Sequence, residues 1–461
     1  MKKMRLCMLL VYGFSPLCNA TDLLDVYRQA LENDPIFQQA YSRYMSNTES
    51  IAQARSALYP QVALSGFVSR NSENVATSDA SLNNGYNSKQ WQVNASQALF
   101  NYKAWAQIQQ AKASVKASQA TFNDAAQNLI LRTANAYFQL LLAQDTVHFA
   151  ESKKRANKRQ FEQAEQRFKV GLDPITSVYE AKAAFDQSVA QVIAAKNNQV
   201  NQNENLRKLT NQIYPHVATL NEASVPLQKP KPDKVTEWVD TGLRQNYRLF
   251  AANYSVQAAR ENIKAQSAGN WPTFALQGNT TSTYNDANIA PTNQAAFYIP
   301  KHQTNTNVAL AMNFPIFKGG LVTSQTRQSQ YDFQTSTYQL EQARRDVEAN
   351  SRIAFNTIID GISKVRADRQ TILSQTNALE STEAQFEVGT RTMVDVVNAQ
   401  QRLFEAQELL AKDQYQLINA FLNLKYLAGS LSVRDIEEVN AWLKSNHPPA
   451  AKLPTASKVT K

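Results

Sequence analysis

FEVGTRTMVDVVNAQ, residues 386–400, decides how this chain is read, because it has an echo at 168–182, FKVGLDPITSVYEAK, 218 residues upstream. Phe168 and Phe386, Val170 and Val388, and Gly171 and Gly389 coincide at the start. Val178 and Val396, and Ala181 and Ala399, coincide at the end. Each stretch lies between two helical patterns, so each reads as the turn of a long helical hairpin. Glycine supplies the left-handed residue that closes the first helix. Two such hairpins in one chain predict a duplicated architecture.

The rest of the chain bears the duplication out. A shift of 212 superposes Leu31 on Leu243, Ala40 on Ala252, Ile51 on Ile263, Pro60 on Pro272, Leu64 on Leu276 and Gly66 on Gly278. The offset grows to 217 where Leu99-Phe100 meets Ile316-Phe317, then settles at 218. These steps fall at loops and corners, where insertions are tolerated. A chance helical repeat would not also reproduce strands, corners and turns.

Within each half the hydrophobic period changes character. Leu23–Asn33 is amphipathic, Pro35 interrupts it, and a helical pattern resumes over Ile36–Tyr59 until Pro60. Then Val62, Leu64, Gly66 and Val68 alternate with Ala63, Ser65, Phe67 and Ser69. A polar loop is expected over Asn71–Ser88. In the next strand Trp91, Val93, Ala95 and Leu99 face one side. Trp271–Pro272 is the second corner, followed by a strand with Phe274, Leu276 and Gly278 on one face. After a second polar loop, over Tyr284–Thr304, Val308, Leu310, Met312 and Phe314 define the fourth strand. Four strands of about ten residues with one apolar and one small-polar face fit membrane β-strands. A soluble hairpin with one wetted face would alternate as well.

Between Lys103 and Lys169 there is neither proline nor glycine. Ile108, Val115, Phe122, Leu129 and Ala136 recur at sevens, echoed by Phe333, Leu340, Val347 and Ala354, the period of helices that supercoil against neighbours. Such a run makes a rod of about 100 Å. A second helix runs from Pro174 to about Leu209, and Leu220–Asp233, with Pro226, Pro230 and Pro232, reads as a linker. The expected organisation is 1–20 signal peptide, 21–209 first repeat, 210–233 linker or equatorial segment, 234–429 second repeat and 430–461 mobile tail.

The signal assignment rests on Lys2, Lys3 and Arg5 before the apolar run Leu6–Phe14, with Ala20 at a small-residue cleavage site. Leu17 before Cys18 does not suit lipid attachment. Both cysteines, Cys7 and Cys18, lie in that segment, so the exported remainder would hold no disulfide and no cysteine metal site. Removing its three positive charges lowers the formal net charge from +10 to +7. Lys and Arg are interspersed with acids along helical patterns, which points to solvated faces and not to nucleic acid. No later apolar run reaches the ~18 residues of a membrane helix, so membrane insertion requires a barrel. Four strands cannot close one, since membrane barrels start at roughly eight. Copies of the chain must share it.

Over residues 22–430 the chain resembles the TolC family of outer-membrane efflux and type I secretion ducts. The two hairpin turns and ALFNYKAW at 98–105 carry the resemblance. It implies a homotrimeric outer-membrane β-barrel, four strands per chain and about twelve in total, continued by a long periplasmic α-helical barrel. Val62, Leu64, Val68, Trp91, Val93, Phe274, Leu276, Val308, Leu310 and Met312 would then meet outer-membrane lipid. Partners would be a periplasmic adaptor, or membrane fusion protein, and an inner-membrane ABC, RND or MFS transporter. Adaptor docking falls on Gly171, Leu172, Gly389 and Thr390. The periplasmic gate falls on Arg391, with Thr176 and Ser177 in its partners' places, and on Asp395 as one acid ring at the pore. Three departures stand out: Asn398 replaces the second acid ring, Ser177 replaces an acid, and Phe386 replaces a tyrosine. A plainer reading makes Arg391 and Asp395 an ordinary i,i+4 surface pair.

Catalytic signatures are absent. His148, His216, His302 and His447 have no metal-ligand spacing, and there is no Walker A, G-x-S-x-G or H-E-x-x-H motif. No cofactor and no enzymatic activity are expected. The alternative to a duct is a soluble exported coiled-coil scaffold, which leaves the four alternating strands and the corners unexplained.

Overall fold

The computed structural model describes residues 21–77, 80–221, 225, 227–286 and 299–443. The signal segment lies outside them. The chain divides into two compact units, each drawing on both halves of the repeat. One combines the segment ending at Gln39 with Ala125–Asn246 and the segment from Val347; the other combines Ala40–Asp124 with Tyr247–Asp346. The units do not follow the repeat boundaries, because each packs equivalent segments of the two halves against one another.

In the first unit, α1 (Leu23–Asn33) and α5 (Val235–Gln245) are the duplicated short helices, each of 11 residues. α1 is capped by Asp22, whose side chain accepts from the Asp25 N–H. At their C-termini the repeat has diverged. Asp34 is 1% exposed and receives the Arg132 guanidinium at 2.7 Å. Its counterpart Asn246, 212 positions on, instead donates to the Leu427 carbonyl at 2.9 Å.

The unit's main core gathers Leu23, Val26, Leu129, Tyr137, Phe138, Leu206, Ile358, Leu417 and Leu424. The expected linker is built into this core. Tyr214, Val217, Ala218, Leu220 and Val225 are buried, and Leu220 bridges Leu443. The Tyr137 hydroxyl donates to the Ala218 carbonyl at 2.8 Å, and burial raises its pKa.

The long helices are unbroken: α3 spans Tyr102–Lys169 and α7 spans Leu321–Glu387, 68 and 67 residues. α4 (Ile175–Thr210) and α8 (Met393–Leu427) return from the turns. The tail expected to be mobile from residue 430 continues in ordered structure to Leu443. Gly429 at φ +71° turns the chain, and α9 (Val433–Asn440) starts on a Ser432–Asp435 capping box. Ile436, Val439 and Leu443 join the core, and Lys425 pairs with Asp435. Pro448, Pro449 and Pro454, which lie outside the described residues, dominate the composition of this end and mask the short apolar pattern before them.

In the second unit, α2 (Pro35–Ser56, begun in the first) and α6 (Tyr247–Ser267) lead to the strands. β1 (Gln61–Thr77), β2 (Ala80–Phe100), β3 (Thr273–Asn285) and β4 (His302–Asn313) form one antiparallel sheet in that order. The loop expected over Asn71–Ser88 is a continuation of β1 and β2, paired from Asn71↔Tyr86 out to Thr77↔Ala80. A ribbon polar on both faces lacks the alternation that marks a strand, yet its backbone groups still pair. The second loop is shorter than expected: Tyr284 and Asn285 end β3, and His302 to Thr304 begin β4. Residues 287–298 of it lie outside the described set.

The register sorts side chains by face. Val62↔Ala95, Leu64↔Val93, Leu276↔Leu310, Gly278↔Val308 and Phe274↔Met312 align apolar residues on one face, together with Trp91 and Val68. Val62, Leu64, Val68 and Val308 are 70–74% exposed. Large apolar side chains that open to their surroundings mark a surface meant for another apolar phase. The opposite face carries amides and hydroxyls: Gln92 donates to Asn94, Asn279 donates to Asn94, and Thr281 donates to Asn279. At the corner Tyr102 stacks on Trp271 at 4.7 Å and beside Trp105 at 6.1 Å. Among the described residues, no helix is long and apolar enough to cross a membrane and no side-chain cluster could hold a metal.

Candidate functional site at the hairpin turns

Both turns close in the same way. The Leu172 N–H donates to the Arg167 carbonyl at 2.9 Å and the Gly171 N–H to that of Phe168 at 2.9 Å. The Thr390 N–H donates to Gln385 at 2.9 Å and the Gly389 N–H to Phe386 at 3.0 Å. These are Schellman closures, with Gly171 at φ +77° and Gly389 at φ +80°. Nothing lies within 4 Å of a Cβ added at either glycine, so backbone conformation alone requires them. Around them Val170, Leu172 and Val388 are exposed, as are Gly171, Gly389 and Thr390.

Behind the turns a small core joins the two hairpins. Ala164 of α3, Val178 and Ala181 of α4, Phe386 of α7, and Met393 and Val396 of α8 pack together. Farther along, Gln160 donates to Gln400 at 2.7 Å between α3 and α8. Asn157 donates to the Ala184 carbonyl at 3.0 Å between α3 and α4.

Asp395 is the third residue of α8 and completes a capping box. The Thr392 N–H and hydroxyl donate to its carboxylate at 3.0 and 2.8 Å. These bonds, the backbone one foremost, lower its pKa, with a smaller contribution from Arg391. Arg391 lies 3.9 Å from Asp395 and donates from Nε to Gln385 at 3.1 Å. The ion pair is at the long limit. Within one chain the structure brings Arg391 to Gln385 and Asp395, while Thr176 and Ser177 lie on the first turn of α4. Asn398 is exposed on α8.

Phe386 is 7% exposed and belongs to the core. The Arg167 guanidinium lies over its ring, 5.0 Å from the centroid. A two-point fork on Asp173 holds that guanidinium, Nε to Oδ2 at 2.9 Å and Nη2 to Oδ1 at 3.3 Å. Asp173 raises the Arg167 pKa further. Sequence reasoning passes over Arg167 and Asp173. The available signal is an Arg directly before the repeated Phe168, and an acid six residues on across the turn. The arrangement has no nucleophile, base or metal cradle among the described residues. It holds four helix ends together.

The profile of the outer membrane efflux protein family matches residues 26–212 and 238–430. The chain is 33% identical to the outer membrane protein TolC of Vibrio cholerae over 425 residues, covering 92% of this chain and 94% of the relative. It is 33% identical to TolC of Escherichia coli, covering 93% and 86%. The alkaline protease secretion protein AprF of Pseudomonas aeruginosa is 28% identical, covering 95% and 90%. Among solved structures, CusC superposes with a TM-score of 0.76 at 16% identity, covering 91% of this chain and 95% of that one. The outer membrane channel CmeC of Campylobacter jejuni gives 0.75 at 16% identity, covering 92% and 90%. The expected fold class, barrel strands continued by long helices, is the one these channels share. With both halves of the chain matched, it belongs to the outer membrane efflux protein family.

Proposed function

We propose that this outer-membrane exit duct works as a homotrimer that receives a periplasmic adaptor at its hairpin turns and cargo from an inner-membrane ABC, RND or MFS transporter. One observation carries the reading: two identically closed turns present apolar knobs, Val170, Leu172 and Val388, at 67–75% exposure, with Phe168 and Ile175 also exposed beside them. Exposed apolar groups of this kind favour burial against a partner. Gly171, Leu172, Gly389 and Thr390 are the docking positions. Arg391, Asp395, Thr176, Ser177 and Asn398 face the closing end of the duct, and Phe386 anchors it from within.

A duct of this kind fractionates with outer membranes and migrates as a heat-dissociable trimer. Cysteine at Leu172 or Thr390 crosslinks to the adaptor in cells. Recovery of the chain wholly in the periplasmic extract would favour the soluble scaffold, whose difficulty is the apolar face of the sheet. Comparing drug sensitivity and secreted proteins with and without the gene identifies the cargo.

A further inference from the structure

The apolar face of the sheet ends in a groove that the duct reading does not use. It has a volume of about 450 Å³ and is lined by Gly66, Val68, Lys89, Trp91, Ser282, Tyr284 and His302 among others. The register explains its shape. Gly66↔Trp91↔Ser282 form one row across the strands, and Val68↔Lys89↔Tyr284↔His302 form the next. Alternation puts both rows on the same face as Leu64 and Val308. Gly66 and Ser282 leave the floor low, Trp91 and Val68 supply apolar walls, and Tyr284 packs on His302 at 4.8 Å between centroids. Arg70, one row farther out and on the same face, is the diagonal neighbour of Lys89, at roughly 7–8 Å by strand geometry.

The level of this groove follows from strand length. Phe274 and Tyr284 are ten residues apart on β3, about 34 Å along the strand. A tilt of ~40° reduces this to about 26 Å along the membrane normal, the height of the roughly 25 Å apolar band of outer-membrane barrels. Phe274 lies by the helix corner, on the periplasmic side, so Tyr284, Lys89, His302 and Arg70 stand at the outer headgroup level. All four are hydrogen-bond donors, and two are cations, so this level concentrates positive charge that suits an anion. Asp286, whose carboxylate accepts from the Asn87 backbone N–H and side-chain amide, also feels the Lys89 charge, but among the described residues no salt bridge joins an acid to Lys89 or Arg70.

The geometry points to a site for a phosphorylated glycolipid of the outer leaflet. An acyl chain lies along Trp91 and Val68 over Gly66, and a phosphoryl group is held by Lys89, Arg70 and the Tyr284 hydroxyl. The site requires only the outer-membrane placement of the sheet and is independent of adaptor docking and gating.

The test is native mass spectrometry of the detergent-solubilised full chain incubated with bisphosphorylated lipid A, its dephosphorylated form, or an anionic phospholipid. Retention of the bisphosphorylated lipid is expected, with at least ~tenfold weaker retention of the other two. The Arg70→Gln/Lys89→Gln double variant, polar at both surface positions, loses that preference, and Lys89→Arg keeps it. Equal retention of the dephosphorylated lipid or the phospholipid, an unaltered preference in the double variant, or displacement by millimolar inorganic phosphate would each overturn the assignment.

Discussion

The Arg167 guanidinium rests 5.0 Å from the centre of the Phe386 ring, and so one hairpin of the duplicated pair is fastened to the other. The contact spans helices α3 and α7, and Asp173 fixes the geometry from the turn between α3 and α4. Phe386 has no hydroxyl with which to donate a hydrogen bond. The face of its ring is the point of attachment.

Phe386→Leu keeps the apolar bulk but removes the quadrupole, and is expected to weaken the fastening by about 0.5–1 kcal/mol. Single channels should show more frequent openings, and cells should admit bulky antibiotics. Arg167→Ala should act similarly, and the double variant should add little. Additive effects in that cycle would show that the two residues act separately.

Asp395 caps α8, and substitution can separate that task from the proposed acid ring. Asp395→Ala removes both the charge and the capping carboxylate, so cation preference and blockade by multivalent cations should largely vanish. Thr392→Ala leaves the charge and costs about 1 kcal/mol of helix-end stability. It should therefore leave the reversal potential unaltered while speeding hydrogen exchange in the first turn of α8. If both variants alter selectivity equally, the carboxylate acts through the cap and not through its field.

Acid should loosen the same helix end. Hydrogen bonds to the ionised form depress the Asp395 pKa in the folded protein. Its contribution is thus fully present above the unfolded value of about 3.9 and is lost as pH falls through the lower folded value. Channel noise is expected to rise only below about pH 4, and Asp395→Asn should flatten that rise.

Asp34 and Arg132 form the buried charge pair at the end of α1. Arg132→Ala leaves a carboxylate 1% exposed without its partner and should cost about 3–5 kcal/mol. Thermal denaturation of the detergent-solubilised protein measures it. Asn246, the repeat counterpart, occupies its site without a charge, so Asp34→Asn combined with Arg132→Met should recover much of the loss.

Two glycines with nearly equal φ should respond unequally. A Cβ on Gly171 meets nothing within 4 Å, so Gly171→Ala should cost only the left-handed strain of about 1–2 kcal/mol. On Gly429 the same atom would lie 2.4 Å from the Gln245 carbonyl oxygen, a backbone atom that no rotamer can move. Gly429→Ala should reduce the yield of folded protein sharply.

The parts of this molecule legible in its sequence are those whose signal is local and periodic. The sevens of Ile108 to Ala136 mark a helix, Tyr59–Pro60 and Trp271–Pro272 mark corners, and the paired glycines mark turns. Asn71–Ser88 reads as a loop because a strand wetted on both faces has no apolar alternation to detect. Residues 430–443 read as a mobile tail because their order comes from burial of Ile436 and Val439 against distant helices. At the turns, Arg391 and Asp395 stand out by their match to the family's motif. Arg167 and Asp173 do not, since the partner that gives Arg167 its meaning, Phe386, lies 219 residues away.

The inward face of the sheet carries Ala63, Ser65, Phe67, Ser69 and Asn71 on β1, and Gln90, Gln92, Asn94 and Ser96 on β2. Ala275 to Thr283 and Gln303 to Ala311 continue it on β3 and β4 without a charge. A solute passing this sleeve exchanges hydrogen bonds with water, amides and hydroxyls, and meets no fixed ion to hold or repel it. Over these rows the sleeve is electrically silent and admits by girth, so sorting by charge falls to other parts of the duct.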